Sequence, residues 1–316
     1  MRVRSAPCRR PLGSATIDRA EERRVENLKK LGYNAIRTSH NPVSPAFLDA
    51  CDRLGVLVMH EAFDCWEKGK NSDDYHVAFD AWWRRDLASM VRGSINHPSI
   101  VMWSIGNEIP MRASQAGYKF AHELADAVRA LDTSGRPVTS AVPGVSNNDD
   151  PYFAALDVSG YNYSPQRYVS DHTRSPKRIM VGTESFPTHS FQMWDNFQNY
   201  SWVIGDFIWT AIDYIGESAI GSAATAPDLQ VSDGQPWQWH ISFCGDIDIV
   251  GMQKPQSYYR TVLWDTSPIE MARTCAHARA HAHREGAHAH RAGARAHTEG
   301  ARSRAYAQGA QARARR

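Results

Sequence analysis

The chain has 316 residues, is 42% hydrophobic and carries a formal net charge of +2, proportions that suit a globular protein with a sizeable core and exclude collagen-like or wholly disordered classes. No stretch approaches the roughly 20 apolar residues that span a bilayer, and "MRVRSAPCRRPLG" lacks the apolar middle of a secretory signal. A cytoplasmic location is therefore the default expectation, with no membrane partner, and the five cysteines show no zinc or redox spacing.

Residues 1–10, "MRVRSAPCRR", have four arginines, a proline and little apolar content, and they are left unassigned. "DRAEERRVENLKKLG" then shows apolar residues at helical spacing and stops on Gly32. "NAIRTSH" reads as a strand. In "SPAFLDACDRLG" Ser44 is the N-cap, Pro45 the first helical residue and Gly55 the stop, and the strand "VLVMHEAFD" follows. A helix around "FDAWWRRDLASMV" leads into "IVMWSIGNEIP", a run apolar on both faces that ends in an amide and a carboxylate, Asn107 and Glu108. Loss of alternation marks a strand of a parallel sheet covered by helices on both sides, or of a barrel. The helix "SQAGYKFAHELADAVRALD" comes next, then the strands "PVTSAV", "LDVSGYNY", "RIMVGTESF" and "WVIGDFIWTAID".

Strands alternating with helices imply right-handed parallel crossovers. Seven strands are legible, one short of a closed (β/α)8 TIM barrel. An open doubly wound sheet would carry a glycine-rich phosphate loop after its first strand, and none is present. The predicted barrel domain covers residues 11–271. At the C-terminal strand ends stand Arg37, Ser39 and His40; Glu61 and Asp64; Asn107 and Glu108; Tyr161, Asn162 and Tyr163; Glu184; and Trp209 with Asp213. That rim is where barrels of this class place their chemistry.

Residues 272–316 are nearly all Ala, Arg, His and Gly, with ten arginines against two glutamates and Tyr306 as the only large apolar side chain. Such a tract cannot bury a core and is expected to be disordered. A frameshift through GC-rich sequence accounts for its composition better than a metal- or nucleic-acid-binding role. Without it the chain is mildly acidic, so no nucleic-acid partner is expected.

Five motifs, "GYNAIRTSHNPVSPAFLDACDRLGVLV", "NHPSIVMWSIGNE", "VGTESFP", "GDFIWTAIDYIGE" and "QKPQSYYR", together resemble the catalytic barrel of glycoside hydrolase family 2, and within it the β-galactosidases. The resemblance runs from about Pro11 to Trp264. It implies a retaining exo-β-glycosidase acting on a terminal β-galactoside, with Glu184 as nucleophile and Glu108 as acid/base. Such chemistry needs two carboxylates about 5 Å apart, one ionised to attack the anomeric carbon and one delivering a proton to the leaving oxygen. By the same resemblance Arg37 keeps the nucleophile ionised, Asn107 binds the sugar's 2-hydroxyl and His40 contacts a hydroxyl, while Asp64 is expected at the substrate from its place at a strand end. Tyr163, with Tyr161 as the rival assignment, donates to the nucleophile, and Trp209 is the platform beneath the ring.

Four departures qualify the likeness. His60 stands where the family more often has Asp. Cys65 and Trp66 occupy the positions of the metal ligands of magnesium-dependent relatives, so no metal or other cofactor is expected. "GMQKP" replaces the Asn-x-Lys signature of family glucuronidases, which disfavours a uronic acid. The fourth departure is the arginine-rich start, which does not suit a buried first strand. A chain lacking that strand is expected to expose two sheet edges, to aggregate and to show little activity. The alternatives to a galactosidase are thus an inactive fragment or sugar-binding remnant, or an enzyme for another β-glycoside such as a glucuronide or mannoside.

Overall fold

The computed structural model describes residues 17–214 and 244–264. The unassigned segment 1–10 and the tract 272–316 lie outside the described residues. Seven parallel strands follow one another around the sheet in chain order: β1 (Ala35–Arg37), β2 (Leu57–Glu61), β3 (Ile100–Asn107), β4 (Val138–Pro143), β5 (Ser159–Asn162), β6 (Met180–Ser185) and β7 (Val203–Ile208). Among the described residues each pairs with its neighbours in chain order. This is the predicted TIM barrel architecture, nearly closed.

The helices α1 (Asp18–Lys30), α2 (Pro45–Leu54), α3 (His76–Ser94) and α4 (Gln115–Leu131) match the four periodic segments of the sequence. Their ends carry the expected chemistry. Ser44 Oγ accepts from the Phe47 amide at the start of α2, and Gly55 closes that helix in the left-handed region at φ 64°. Ser114 Oγ likewise accepts from Gly117 N at the start of α4. The helices α5 (Asp150–Phe153), α6 (Tyr168–Arg174), α7 (Ser190–Asn199) and α8 (Pro255–Leu263) fall outside the predicted ones. They have 4, 7, 10 and 9 residues, and none carries the capping side chain and glycine stop that mark the equally short α2.

Two cores result. The larger lies between the strands and the helices and includes Trp66, Trp103, Phe79, Leu124 and Tyr152. The smaller fills the barrel interior with Ala35, Met59, Met102, Val158, Val181 and Phe207. Side chains two residues apart on a strand share a face, so Arg37 stands above Ala35 and Glu61 above Met59. The inner core is the floor on which the strand-end residues rest. On the side between β7 and β1, Ile247 bridges Ile212, and both Tyr33 and Arg260 engage Asp246.

Candidate active site

Arg37 is the hub of the strand ends. Its side chain is buried, and its guanidinium donates through Nε and Nη2 to both oxygens of Glu61, each at 2.9 Å. Nη1 donates to Glu184 Oε1 at 2.7 Å, and Nη2 also reaches Asn107 Oδ1 at 2.8 Å. The planar fork suits such multiple acceptors in a way that an ammonium does not. Glu61 accepts further from Ser104 Oγ at 2.7 Å and lies 2.7 Å from His40 Nδ1. Burial works against its charge, but Arg37 and His40 prevail and hold its carboxyl at about 2.

Glu184 has a different balance. Its second oxygen accepts from the Tyr163 hydroxyl at 2.7 Å. Burial pushes its proton affinity up, while Arg37 acts in the opposite direction. The Tyr163 phenol is itself pushed up by burial and by the adjacent Glu184, so it remains a donor. Phe186 stacks on the Tyr163 ring with centroids 4.3 Å apart.

Glu108 meets this group through two amides. Asn162 Nδ2 donates to Glu108 Oε1 at 2.9 Å and lies 3.3 Å from Asn107 Oδ1, which Arg37 also binds. Thr183 Oγ1 fixes the orientation of Asn162 by donating to Oδ1 at 2.6 Å. A continuous chain therefore runs Glu108, Asn162, Asn107, Arg37, Glu184. Both Glu108 (φ 45°) and Tyr163 (φ 53°) have left-handed backbone. Such residues cost free energy and persist where surrounding structure enforces them, commonly at functional sites. Here the Glu108 amide is tied to Ala141 O and the Tyr163 amide to Glu184 O, both at 2.8 Å.

At the rim, His40 stacks on half-exposed Trp209 with an interplanar angle of 6°. Asp64 accepts from Asn107 Nδ2 at 2.9 Å and from Lys70 Nζ at 2.6 Å. Of the site residues proposed from sequence, Arg37, His40, Asp64, Asn107, Glu108, Tyr163, Glu184 and Trp209 are thus brought together, and Tyr161 is not. Tyr161 faces the helices, where its ring stacks on Phe153 and its hydroxyl donates to Asp171. Asn162 takes the inward position between them. Glu61 and Asn162 had been noticed on the rim without a role, although a carboxylate two residues beyond buried Met59 must enter the barrel.

The segment after β2 commits Cys65 to Asp74, at 3.2 Å, and the Trp66 indole to the Ile105 carbonyl. Among the described residues the one cluster spaced to share a cation is Asp49, Asp52 and His97, centred on the far end of α2 from this rim.

A parallel barrel with glutamates at the C-terminal ends of β3 and β6, linked through one arginine and two amides, fits the class of barrel glycosidases. A family model described as "Glycosyl hydrolases family 2, TIM barrel domain" matches residues 17–177. The chain belongs to glycoside hydrolase family 2. It is 29% identical to the β-galactosidase BoGH2A of Bacteroides ovatus, over 80% of this chain and 37% of that protein. With the β-glucuronidase of Rattus norvegicus it shares 37% identity over 42% of this chain and 20% of the relative. A crystal structure of a family 2 member from Bacteroides cellulosilyticus superimposes with a TM-score of 0.77 at 45% identity, covering 84% of this chain and 34% of that one. The chain therefore spans about a third or less of the length of these relatives.

Proposed function

We propose that the chain is the catalytic barrel of a retaining exo-β-glycosidase that removes terminal β-galactosyl residues, with Glu184 as nucleophile and Glu108 as acid/base. The observation that carries this reading is the unequal treatment of the two carboxylates. Among the described residues Glu184 receives Arg37 and Tyr163, donors that stabilise an anion and aim it, whereas Glu108 receives one neutral amide, at Oε1, which leaves its other oxygen for proton transfer. In the first step Glu184 attacks the anomeric carbon while Glu108 protonates the departing oxygen. In the second, Glu108 takes a proton from water, which attacks the anomeric carbon and releases Glu184. Asn107, His40 and Asp64 offer hydrogen-bonding groups to the sugar hydroxyls, and Trp209 an apolar face. Residues 11–271 form the catalytic unit in this proposal, and no metal is required.

The similarity to BoGH2A supports a galactoside, and the similarity to a glucuronidase keeps a uronide as the second reading. Charge favours the neutral sugar. The cations Arg37, Lys70 and Lys254 each already carry a carboxylate partner, in Glu61 and Glu184, Asp64, and Asp213.

A panel of chromogenic β-glycosides is the test, with galactoside, glucoside, mannoside and glucuronide side by side. Galactoside should be turned over fastest; preference for the glucuronide refutes the substrate. A 2-fluoro galactoside with a good leaving group should label Glu184 covalently, and label on Glu108 would reverse the roles. Glu108→Ala should spare substrates with activated leaving groups far more than those with poor ones, because only the latter need the proton.

A further inference from the structure

α1 packs against α2 and α3 against α4, but α2 and α3 stand apart. Between them lies a cavity of about 650 Å³, within the range of small-molecule sites and larger than one sugar ring fills. His40 and Asp64, at the catalytic rim, form part of its wall, and it extends between α2 and α3 as far as Ser94 and His97. Val43, Leu48, Phe63 and Met90 give it apolar sides. Its charged wall groups are Asp64, Asp74 and Asp86, with His40 and His97 and no lysine or arginine.

The position of Glu108 says which end of a substrate this cavity faces. Its carboxylate turns to Asn162 on β5, whereas Asp64 binds Asn107 from the β2 side. The acid must lie beside the leaving oxygen. The leaving group therefore departs on the β5 side, and the far hydroxyls of the bound sugar point toward His40, Asp64 and the cavity.

We propose that this cavity is a binding site for a further, uncharged sugar carried on the non-reducing terminal residue, so that the site releases a disaccharide as well as a single sugar. This rests on the proposed glycosidase reading and widens it. Asp64 engages Lys70 and Asn107 through Oδ1 and Asp86 engages Tyr75 through Oδ2, so among the described residues their other oxygens are left to accept from sugar hydroxyls; the apolar walls cover ring faces, and the charge of Asp86, which no cation in the wall offsets, disfavours uronate or sulfate substituents.

The test holds the leaving group constant. 4-Nitrophenyl β-galactoside is compared with 4-nitrophenyl β-glycosides in which the galactosyl unit bears a second hexose at its 3-, 4- or 6-hydroxyl, and with a uronate-bearing counterpart. At least one neutral disaccharide substrate should be cleaved as an intact disaccharide with a KM about tenfold below that of the monosaccharide, a difference of about 1.4 kcal/mol. Ser89→Trp places an indole in the cavity from an exposed position of α3 remote from the catalytic groups. It should abolish the preference and leave hydrolysis of the simple galactoside unchanged. Refusal of all three extended substrates, equal acceptance of the uronate, or a preference that survives Ser89→Trp overturns the proposal. If none of the glycosides is hydrolysed, calorimetric titration with the corresponding free disaccharides decides the cavity independently of turnover. Binding lost in Ser89→Trp then supports the site, and no binding to the wild-type chain overturns it.

Discussion

Glu61 is a fully buried carboxylate held by Arg37, Ser104 and His40. Replacing it with Gln keeps its size and removes its charge. Its carboxyl is held at about 2, against an ordinary 4.5, and each unit of such a difference corresponds to about 1.4 kcal/mol. The charged form therefore contributes about 3 kcal/mol to stability at neutral pH, in line with the roughly 3–5 kcal/mol lost when one member of a buried pair is removed. The sign follows from the lowered value. The contribution is complete above the unfolded-state value near 4.5, and it is lost as pH falls toward 2. Urea denaturation of wild type and Glu61→Gln at pH 7 should differ by about 3 kcal/mol, and the difference should shrink steadily between pH 4.5 and 2. A difference below about 1 kcal/mol at pH 7, or one that does not change with pH, would mean that Arg37 is neutralised by Glu184 alone.

Tyr163→Phe removes one donor to a charged acceptor, about 1.5–3 kcal/mol, so kcat/KM for the galactoside should fall about 10- to 100-fold while the folded spectrum is retained; an unchanged rate would refute its role. His60, fully buried between Thr38 and Ser94, is held neutral with its value lowered to about 4 from 6.5, so wild type should lose about 3 kcal/mol as pH falls from 6.5 to 4. His60→Leu should remove that part of the acid slope, and an identical slope in the variant would show that another group causes it. Gly160→Ala should destabilise by about 1–3 kcal/mol or more, because the added methyl presses on the Ser140 carbonyl and the Thr183 side chain. A melting midpoint equal to wild type would mean that β4 and β6 yield there.

The barrel was legible because its strands are short apolar runs ending in polar groups, a pattern that burial on both faces imposes. The long helices were legible by period and caps, and Ser44, Pro45 and Gly55 stand where the motif requires. The error at Tyr161 has a local cause. In a regular strand Tyr161 and Tyr163 share a face, so if one enters the site both should. The left-handed turn at Tyr163 breaks that alternation, sending Asn162 and Tyr163 inward and leaving Tyr161 with the helices. Nothing in "SGYNYS" announces that turn, since Tyr is not a residue that favours positive φ. The sequence places Glu61 on the rim but not its role, for another reason: its partners Arg37, Ser104 and His40 come from three separate segments, and only the fold brings them together.

The left-handed backbone at positions 108 and 163 also bears on how lineages of this barrel decay. While the site is under selection for turnover, Glu and Tyr must be kept at two places where their backbones are unfavourable, at a cost on the order of 1 kcal/mol or more each. Once turnover no longer matters, Gly, Asn or Asp suits the backbone at 108 better, whereas at 163 that gain is set against the lost hydrogen bond to Glu184 and the stacking on Phe186. Homologues that have become silent sugar-binding proteins should therefore lose Glu108 to Gly, Asn or Asp before they lose Tyr163.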